Sequence, residues 1–220
     1  LTLDPKELPI PKLHHYLLGS IGPRPIAFAS TVDAEGNRNL APFSFFNVFS
    51  ANPPILIFSP ARSGRTNTTK NTHDNVKAVA EVVINVVTYD MVHQMSLTSS
   101  PFDAGVDEFE KAGFTPIASD TIRPFRVKES PVQIECKVLE IKELGQKGGA
   151  GNLIICEVQK IHIDERVLDE NQMVDQKKID LVSRMGGNWY CRANDASMFE
   201  VDKPITTIGV GVDSLPVNIR

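Results

Sequence analysis

Between residues 132 and 138 apolar and polar positions alternate: Val132, Ile134, Cys136 and Val138 share one phase, Gln133, Glu135 and Lys137 the other. A period of two is the mark of a strand with one face buried. A second run, 153–163, follows the glycine-rich turn 145–151. It keeps Ile154, Cys156 and Val158 on one face before the phase moves to Ile161 and Ile163, the shift that a β-bulge produces. The two runs predict a long hairpin. Residues 79–87, dense in valine, predict another strand. The stretch 22–59 reads as two or three more: an apolar run over 25–32, a turn at Asp33-Ala34-Glu35-Gly36-Asn37, an aromatic and small-residue run over 40–49 ended by Asn52-Pro53-Pro54, and a buried run over 55–58. Helical signals are short. They cover 71–78, 91–97 with Asp90 as cap, and 108–112 with Asp107 as cap and Gly113 as stop. Many short strands with few helices predict a mainly β protein, an antiparallel barrel rather than a βαβ sheet. No G-x-G-x-x-G opens a helix after a strand, so a dinucleotide fold of the Rossmann type is not supported.

The 220 residues, 41% hydrophobic and 23% charged, suit a single domain with a substantial core. Residues 1–15 read as an N-terminal extension and 204–220 as a tail, in which Ile208-Gly209-Val210-Gly211-Val212 has the pattern of an extra edge strand. A net charge of −4 gives no whole-chain field toward nucleic acid or an anionic membrane, and no apolar run reaches spanning length. The three cysteines, 136, 156 and 191, lack C-x-x-C spacing. Cys136 and Cys156 lie on the apolar phase of strands, so they read as buried free thiols of a cytoplasmic protein. The five histidines show no zinc pattern, His14 and His15 pointing to different sides of any element, and no metal site is expected. Asp107, Glu108 and Glu110 read as the first turn of a helix. No Ser or Cys sits in a nucleophile elbow.

Two segments carry candidate chemistry. The loop 59–71, Ser-Pro-Ala-Arg-Ser-Gly-Arg-Thr-Asn-Thr-Thr-Lys-Asn, leaves a buried strand and enters a helix. Free backbone N–H groups and the positive helix end would there adjoin Ser and Thr hydroxyls and Lys70, the set of donors and charge that a phosphate needs. The alternative is a solvated loop in which Thr68 or Thr69 caps the helix. The second segment, Arg184-Met185-Gly186-Gly187-Asn188-Trp189-Tyr190, offers glycines for close backbone approach and aromatic rings to wall a planar ligand. It is read equally well as a turn with Trp189 and Tyr190 in the core. Ser44 among phenylalanines, and Arg24 between two prolines, are also more than a core requires.

In order along the chain, Pro23-Arg24-Pro25, the Thr31 to Asn37 turn, Ala41-Pro42-Phe43-Ser44-Phe45, Thr68-Thr69-Lys70-Asn71, the helix 107–113, Glu135-Cys136 and Arg184 to Asn188 resemble the flavin reductase-like family of FMN-binding split-barrel proteins, which includes flavoredoxin. The resemblance spans about residues 16–192. It implies an antiparallel Greek-key split β-barrel with a few short flanking helices, forming a homodimer with FMN at the interface. It implies that Ala41, Pro42, Phe43, Ser44 and Phe45 line the isoalloxazine, with Arg24 and Thr31 nearby on the first strand. Ser59, Thr68, Lys70 and Asn71 would hold the phosphate, and Arg184, Gly186 and Gly187 would approach the flavin, from the same or the second subunit. The implied function is electron transfer from NAD(P)H through FMN to a flavin, a partner protein or another acceptor. One departure stands out: reductases of this family commonly carry Gly-Asp-His before a strand, the histidine serving the nicotinamide, and this chain has Gly149-Ala150-Gly151 there. A flavoredoxin-like carrier with no nicotinamide site of its own is therefore the alternative, and a non-enzymatic module for a phosphorylated ligand is the reading from another class.

Overall fold

The computed structural model describes residues 1–100, 102 and 105–201. The predicted edge strand at 208–212 lies outside them. In chain order the elements are α1 (Ile10–Ser20), β1 (Ala27–Val32), β2 (Arg38–Phe43), β3 (Phe46–Ala51), β4 (Pro54–Phe58), α2 (Asn71–Ala78), β5 (Glu81–Asn85), α3 (Val92–Leu97), α4 (Glu108–Ala112), the two-residue strands β6 (Pro116–Ile117) and β7 (Arg126–Val127), the long pair β8 (Val132–Glu143) and β9 (Asn152–Ile163), and a hairpin of β10 (Val182–Arg184) and β11 (Tyr190–Arg192).

Seven strands form one antiparallel sheet in the order β2-β1-β5-β8-β9-β4-β3. Its two edges, β2 and β3, are joined by only Ser44 and Phe45. Strands stand about 4.8 Å apart in a sheet, so a flat seven-stranded sheet would hold its edges far beyond the reach of two residues. The sheet must curl until the edges meet at Ser44–Phe45, without pairing there. That is a split barrel, and the non-local pairings β1 with β5 and β4 with β9 give it Greek-key character. Inside lie Ala27, Ala29, Leu56, Phe58, Val76, Val82, Ile84, Cys136, Ile154 and Cys156, with Phe43 and Phe46 against them. A second cluster outside packs Phe28 and Leu40 beneath α3 and α4.

The predicted hairpin forms, and β8 with β9 shows register breaks at Glu135/Cys136 and Val138/Glu140, the first beside the predicted phase shift. Asp107 caps α4, its carboxylate accepting from the Phe109 N–H at 2.9 Å, and Gly113 ends the helix at φ 73°. All three cysteines are free, two of them buried. Other expectations need correction. The run 40–49 is two strands, because the chain crosses from one sheet edge to the other within it. Asp90 does not cap α3; it lies in a 3-10 turn, Tyr89–Met91, that leads into the helix. Within residues 1–15 a helix the sequence reading did not anticipate, α1, starts at Ile10 with Pro11 in its first turn. Glu108 is more than a first-turn acid: it is buried, and its carboxylate accepts from the Leu40 N–H at 3.1 Å on the open edge of β2. Burial raises its pKa.

Glu135, on the polar phase of β8, is fully buried. Its carboxylate accepts from the backbone of Asp120 and Thr121, both at 2.8 Å, from the Thr121 hydroxyl at 2.5 Å, and meets His162 Nε2 at 2.7 Å. Burial pushes its pKa up, but these bonds outweigh burial and bring it from 4.5 to about 2. Asp120, Glu135 and His162 are close enough to suggest a cation site. Lys160, 2.5 Å from Asp120, and Arg126 already supply the positive charge. Because the folded pKa is depressed, the ionised carboxylate stabilises the fold above about pH 4.5, and that stability is lost as pH falls toward 2. Glu135→Gln should therefore melt at lower temperature than wild type at pH 7, with the gap closing as pH drops through that window. Thermal melts across pH check this.

Candidate functional site

The split between β2 and β3 forms a mouth. A cavity of about 430 Å³ lies over it, lined by Leu17, Leu18 and Ile21, by Pro23, Arg24 and Pro25, and by Ser44 to Asn47. It is mainly apolar, with Arg24, Ser44 and Asn47 as polar exceptions. Helix α1 forms one wall. It buries no residue fully; its Ile10 and Leu17, and Ile21 just past its end, remain more than half exposed.

Arg24 ties this mouth together. It lies three residues before β1 rather than on it, bridged to Arg184 by two backbone bonds of 3.0 and 2.8 Å. Its buried guanidinium donates to the carbonyls of Leu18 (2.8 Å) and Ile21 at the end of α1, and to Met185 O (2.9 Å) in the β10–β11 turn. Its Nε reaches the Ser44 hydroxyl at 3.5 Å. Cations suit the carbonyls that end a helix. Burial, then the neighbouring Arg184 charge, lowers its pKa. Four of its five N–H groups thus go to protein acceptors. Gly186 is close-packed against protein as well: a Cβ there would stand 2.9 Å from Gly19 Cα. Gly187 turns the hairpin at φ 57°. Arg184 donates to Trp189 O at 3.0 Å and stacks on Tyr190, 4.5 Å from the ring centre. Trp189 is 78% exposed, so the reading of these aromatics as core is corrected. They stand at the surface because the hairpin is an appendage to the barrel.

On β2, Ala41, Pro42 and Phe43 pair with Ala29, Phe28 and Ala27. Phe43 turns inward against Phe58, 5.7 Å between ring centres. The Leu40 N–H points off the sheet edge to Glu108; by the period of two in an antiparallel ladder, the Pro42 carbonyl points the same way. Thr31 is not at the mouth. It is buried beneath α2, its hydroxyl accepting from Asn75 (3.1 Å) and Asn39 (3.4 Å), and Asn39 donates to Thr72 at 2.9 Å.

The loop 59–71 begins beside the mouth: the Ser59 N–H donates to Phe45 O at 2.9 Å. It is folded on itself by Ser63 N–H to Thr68 O (2.8 Å), Asn67 N–H to Ser63 O (2.9 Å) and the Thr66–Thr68 hydroxyl pair (2.8 Å). It enters α2 at Asn71. No side chain caps this helix, so the reading of Thr68 or Thr69 as cap is corrected; the Thr69 hydroxyl is spent on Asp74 at 2.8 Å. The first-turn N–H groups of Asn71 and Thr72 have no intrahelical partner, and the exposed Lys70 occupies the cap position. The structure thus brings together only part of the sequence-predicted set. Arg24, Ser44 and Phe45 line the mouth, Arg184 being tied to Arg24 through its backbone and Gly186 packed on α1. Lys70 and Asn71 form the start of α2, with Thr31 beneath that helix, while Ser59 stands beside Phe45 and Gly151 and Thr68 lies within the loop.

Sequence reasoning missed Leu17, Leu18, Arg62 and Asn67. For α1 a signal existed in the spacing of Ile10, Leu13 and Leu17. For Asn67 there was none, since its left-handed backbone (φ 56°) and its partners are set by tertiary contacts.

A model of the flavin reductase like domain matches residues 19–180. The chain belongs to this family. The match stops short of most of α1 and of the β10–β11 hairpin, the two appendages that Arg24 binds to the mouth. A protein of Aquifex aeolicus with no assigned function is 37% identical over 188 residues, 86% of this chain and 93% of its own. Among solved structures, nitrilotriacetate monooxygenase component B from Bacillus cereus superposes with a TM-score of 0.84 at 30% identity, covering 91% of this chain and 98% of its own. The 2-nitrobenzoate 2-nitroreductase of Pseudomonas fluorescens gives 0.82 at 27% identity, covering 95% and 100%. Among the described residues no helix is long and apolar enough to cross a membrane.

Proposed function

We propose that the chain binds FMN along the mouth and works as a flavin-dependent oxidoreductase, passing electrons from NAD(P)H to a flavin or another acceptor. The observation that carries this reading is continuity. An apolar slot of a size suited to a small ligand is joined by the Ser59–Phe45 backbone bond to the loop 59–71. That loop leads along the chain to a helix start with no side-chain cap and the exposed Lys70 at its cap position. A phosphate fits the second part: the Asn71 and Thr72 N–H groups, the Ser59 and Thr68 hydroxyls and Lys70 supply neutral donors and charge. A flat ring fits the first, against Ala41 to Phe45 with the Ser44 hydroxyl at its edge. Thr31 acts one step removed, by holding Asn75 and so the pose of α2.

FMN, when bound, supplies the hydride and electron chemistry. The protein's share is placement and field. Arg24 and Arg184 set positive charge beside the ring end of the slot, where it favours a reduced, anionic ligand. The apolar side chains of Leu17, Leu18 and Ile21 would line the ring's side of the slot. The redox names borne by the monooxygenase component and the nitroreductase agree with this role.

A second copy of the chain completes the site in this proposal. Val48 and Phe49 on the edge strand β3 are 64% and 62% exposed, and Ile10 and Leu17 of α1 are exposed as well. An apolar edge of this kind is the usual mark of a contact surface.

Lys70→Ala should weaken FMN binding by about 1–3 kcal/mol, the worth of a charge-assisted hydrogen bond, while the fold is kept. Flavin fluorescence titration measures it, and an unchanged affinity would remove Lys70 from the site. The alternative role, a carrier reduced by another protein, is favoured by Gly149-Ala150-Gly151 in place of a nicotinamide histidine. Anaerobic titration of the FMN-loaded protein with NADH and NADPH separates the two: rapid bleaching of the oxidised-flavin band marks a reductase, and a band that persists until a chemical reductant is added marks a carrier.

A further inference from the structure

The turn 145–151 between β8 and β9 lies on the loop 59–71 as a second layer. Arg62 N–H donates to Ala150 O at 2.8 Å, Gly149 N–H to Arg62 O at 3.0 Å, and Asn152 N–H to Pro60 O at 3.2 Å. The buried Asn152 side chain adds a bond to Pro60 O at 2.9 Å. From the other layer, Asn67 Nδ2 donates to Gln146 O at 3.0 Å, while Arg62 donates back to Asn67 Oδ1 (3.1 Å) and Asn67 O (2.7 Å). Asn67 thereby closes the loop on itself and fastens it to the turn.

The layers touch where the turn has glycine. A Cβ at Gly148 would lie 2.8 Å from Ser63 O and 3.0 Å from Gly64 Cα, and a Cβ at Gly151 would lie 2.7 Å from Ser59 Oγ. At Gly148 the neighbours are backbone, so a side chain there must move the loop; at Gly151 the neighbour is the Ser59 hydroxyl, so a side chain there must turn that hydroxyl out of its place. We infer that Gly148, Gly151 and Asn67 are positioning residues that hold Ser59 and the start of α2 in the shape that receives the FMN phosphate, an inference resting on the phosphate reading proposed above. Position 151 has no room for the family's nicotinamide histidine unless Ser59 is displaced. The turn has become the backing of the phosphate loop instead.

The test compares FMN with riboflavin, which has the same ring and no phosphate, by fluorescence titration of the full-length apo-protein. Gly151→Ala should weaken FMN binding about tenfold, the scale of one hydrogen bond's misplacement, and leave riboflavin binding within about twofold. Added to Ser59→Ala, the same substitution should cost less than about twofold, because the hydroxyl it displaces is already gone. Asn67→Gly, which keeps the left-handed backbone accessible and removes only the side-chain bonds, should also lose FMN affinity selectively, about fivefold. Thermal melts verify that each variant is folded. Wild-type affinity for FMN in both Gly151→Ala and Asn67→Gly, an equal loss for both flavins, or full additivity with Ser59→Ala would overturn the inference with the FMN reading intact. A wild-type protein that holds riboflavin as tightly as FMN would overturn both.

Discussion

The two-residue link Ser44–Phe45 is the constraint on which this molecule depends. It ties together strands that the hydrogen-bond ladder places at opposite edges of the sheet, so the sheet closes without completing a cylinder. The unpaired seam is what leaves backbone and a hydroxyl facing outward over an apolar interior. Everything near the seam is arranged around it. Arg24 fastens α1 and the β10–β11 turn to one side, Glu108 occupies the edge Leu40 N–H on β2, and the chain leaving β4 starts its loop by bonding to Phe45.

That geometry also links a ring-sized feature to a phosphate-sized one along the chain. The chain leaving β4 is bonded to the seam at Ser59 and, after the loop 59–71, enters α2, which sends Val76 into the barrel. A cofactor with a flat apolar head and a charged tail would match this pairing, with Arg24 at the mouth and Lys70 at the start of α2.

Local pattern carried much of the fold in the sequence. Alternation revealed β8 and β9, valine density revealed β5, and Asp107 with Gly113 bounded α4, since each depends on residues close in the chain. The break inside 40–49 was hidden because Ser44 is a weak turn signal set among phenylalanines, with no glycine or asparagine beside it; closure of the barrel, not local preference, bends the chain there. Glu135 fell on the solvent phase by pattern and is buried, because its partners arrive from a loop 14 and 15 residues upstream. The paired glycines at 186–187 were read as making room for a ligand, and Gly186 makes room for Gly19 of α1. Donor types at the loop 59–71 were legible from composition; their fastening by Arg62, Asn67 and the 145–151 turn was not, being contact between segments far apart in sequence.

The most direct measurement is a crystal structure of the protein with FMN. The expected result is a phosphate within hydrogen-bond distance of the Asn71 and Thr72 N–H groups and a ring against Ser44 and Phe45 at the seam. A flavin bound elsewhere, or a phosphate turned away from the start of α2, would contradict it.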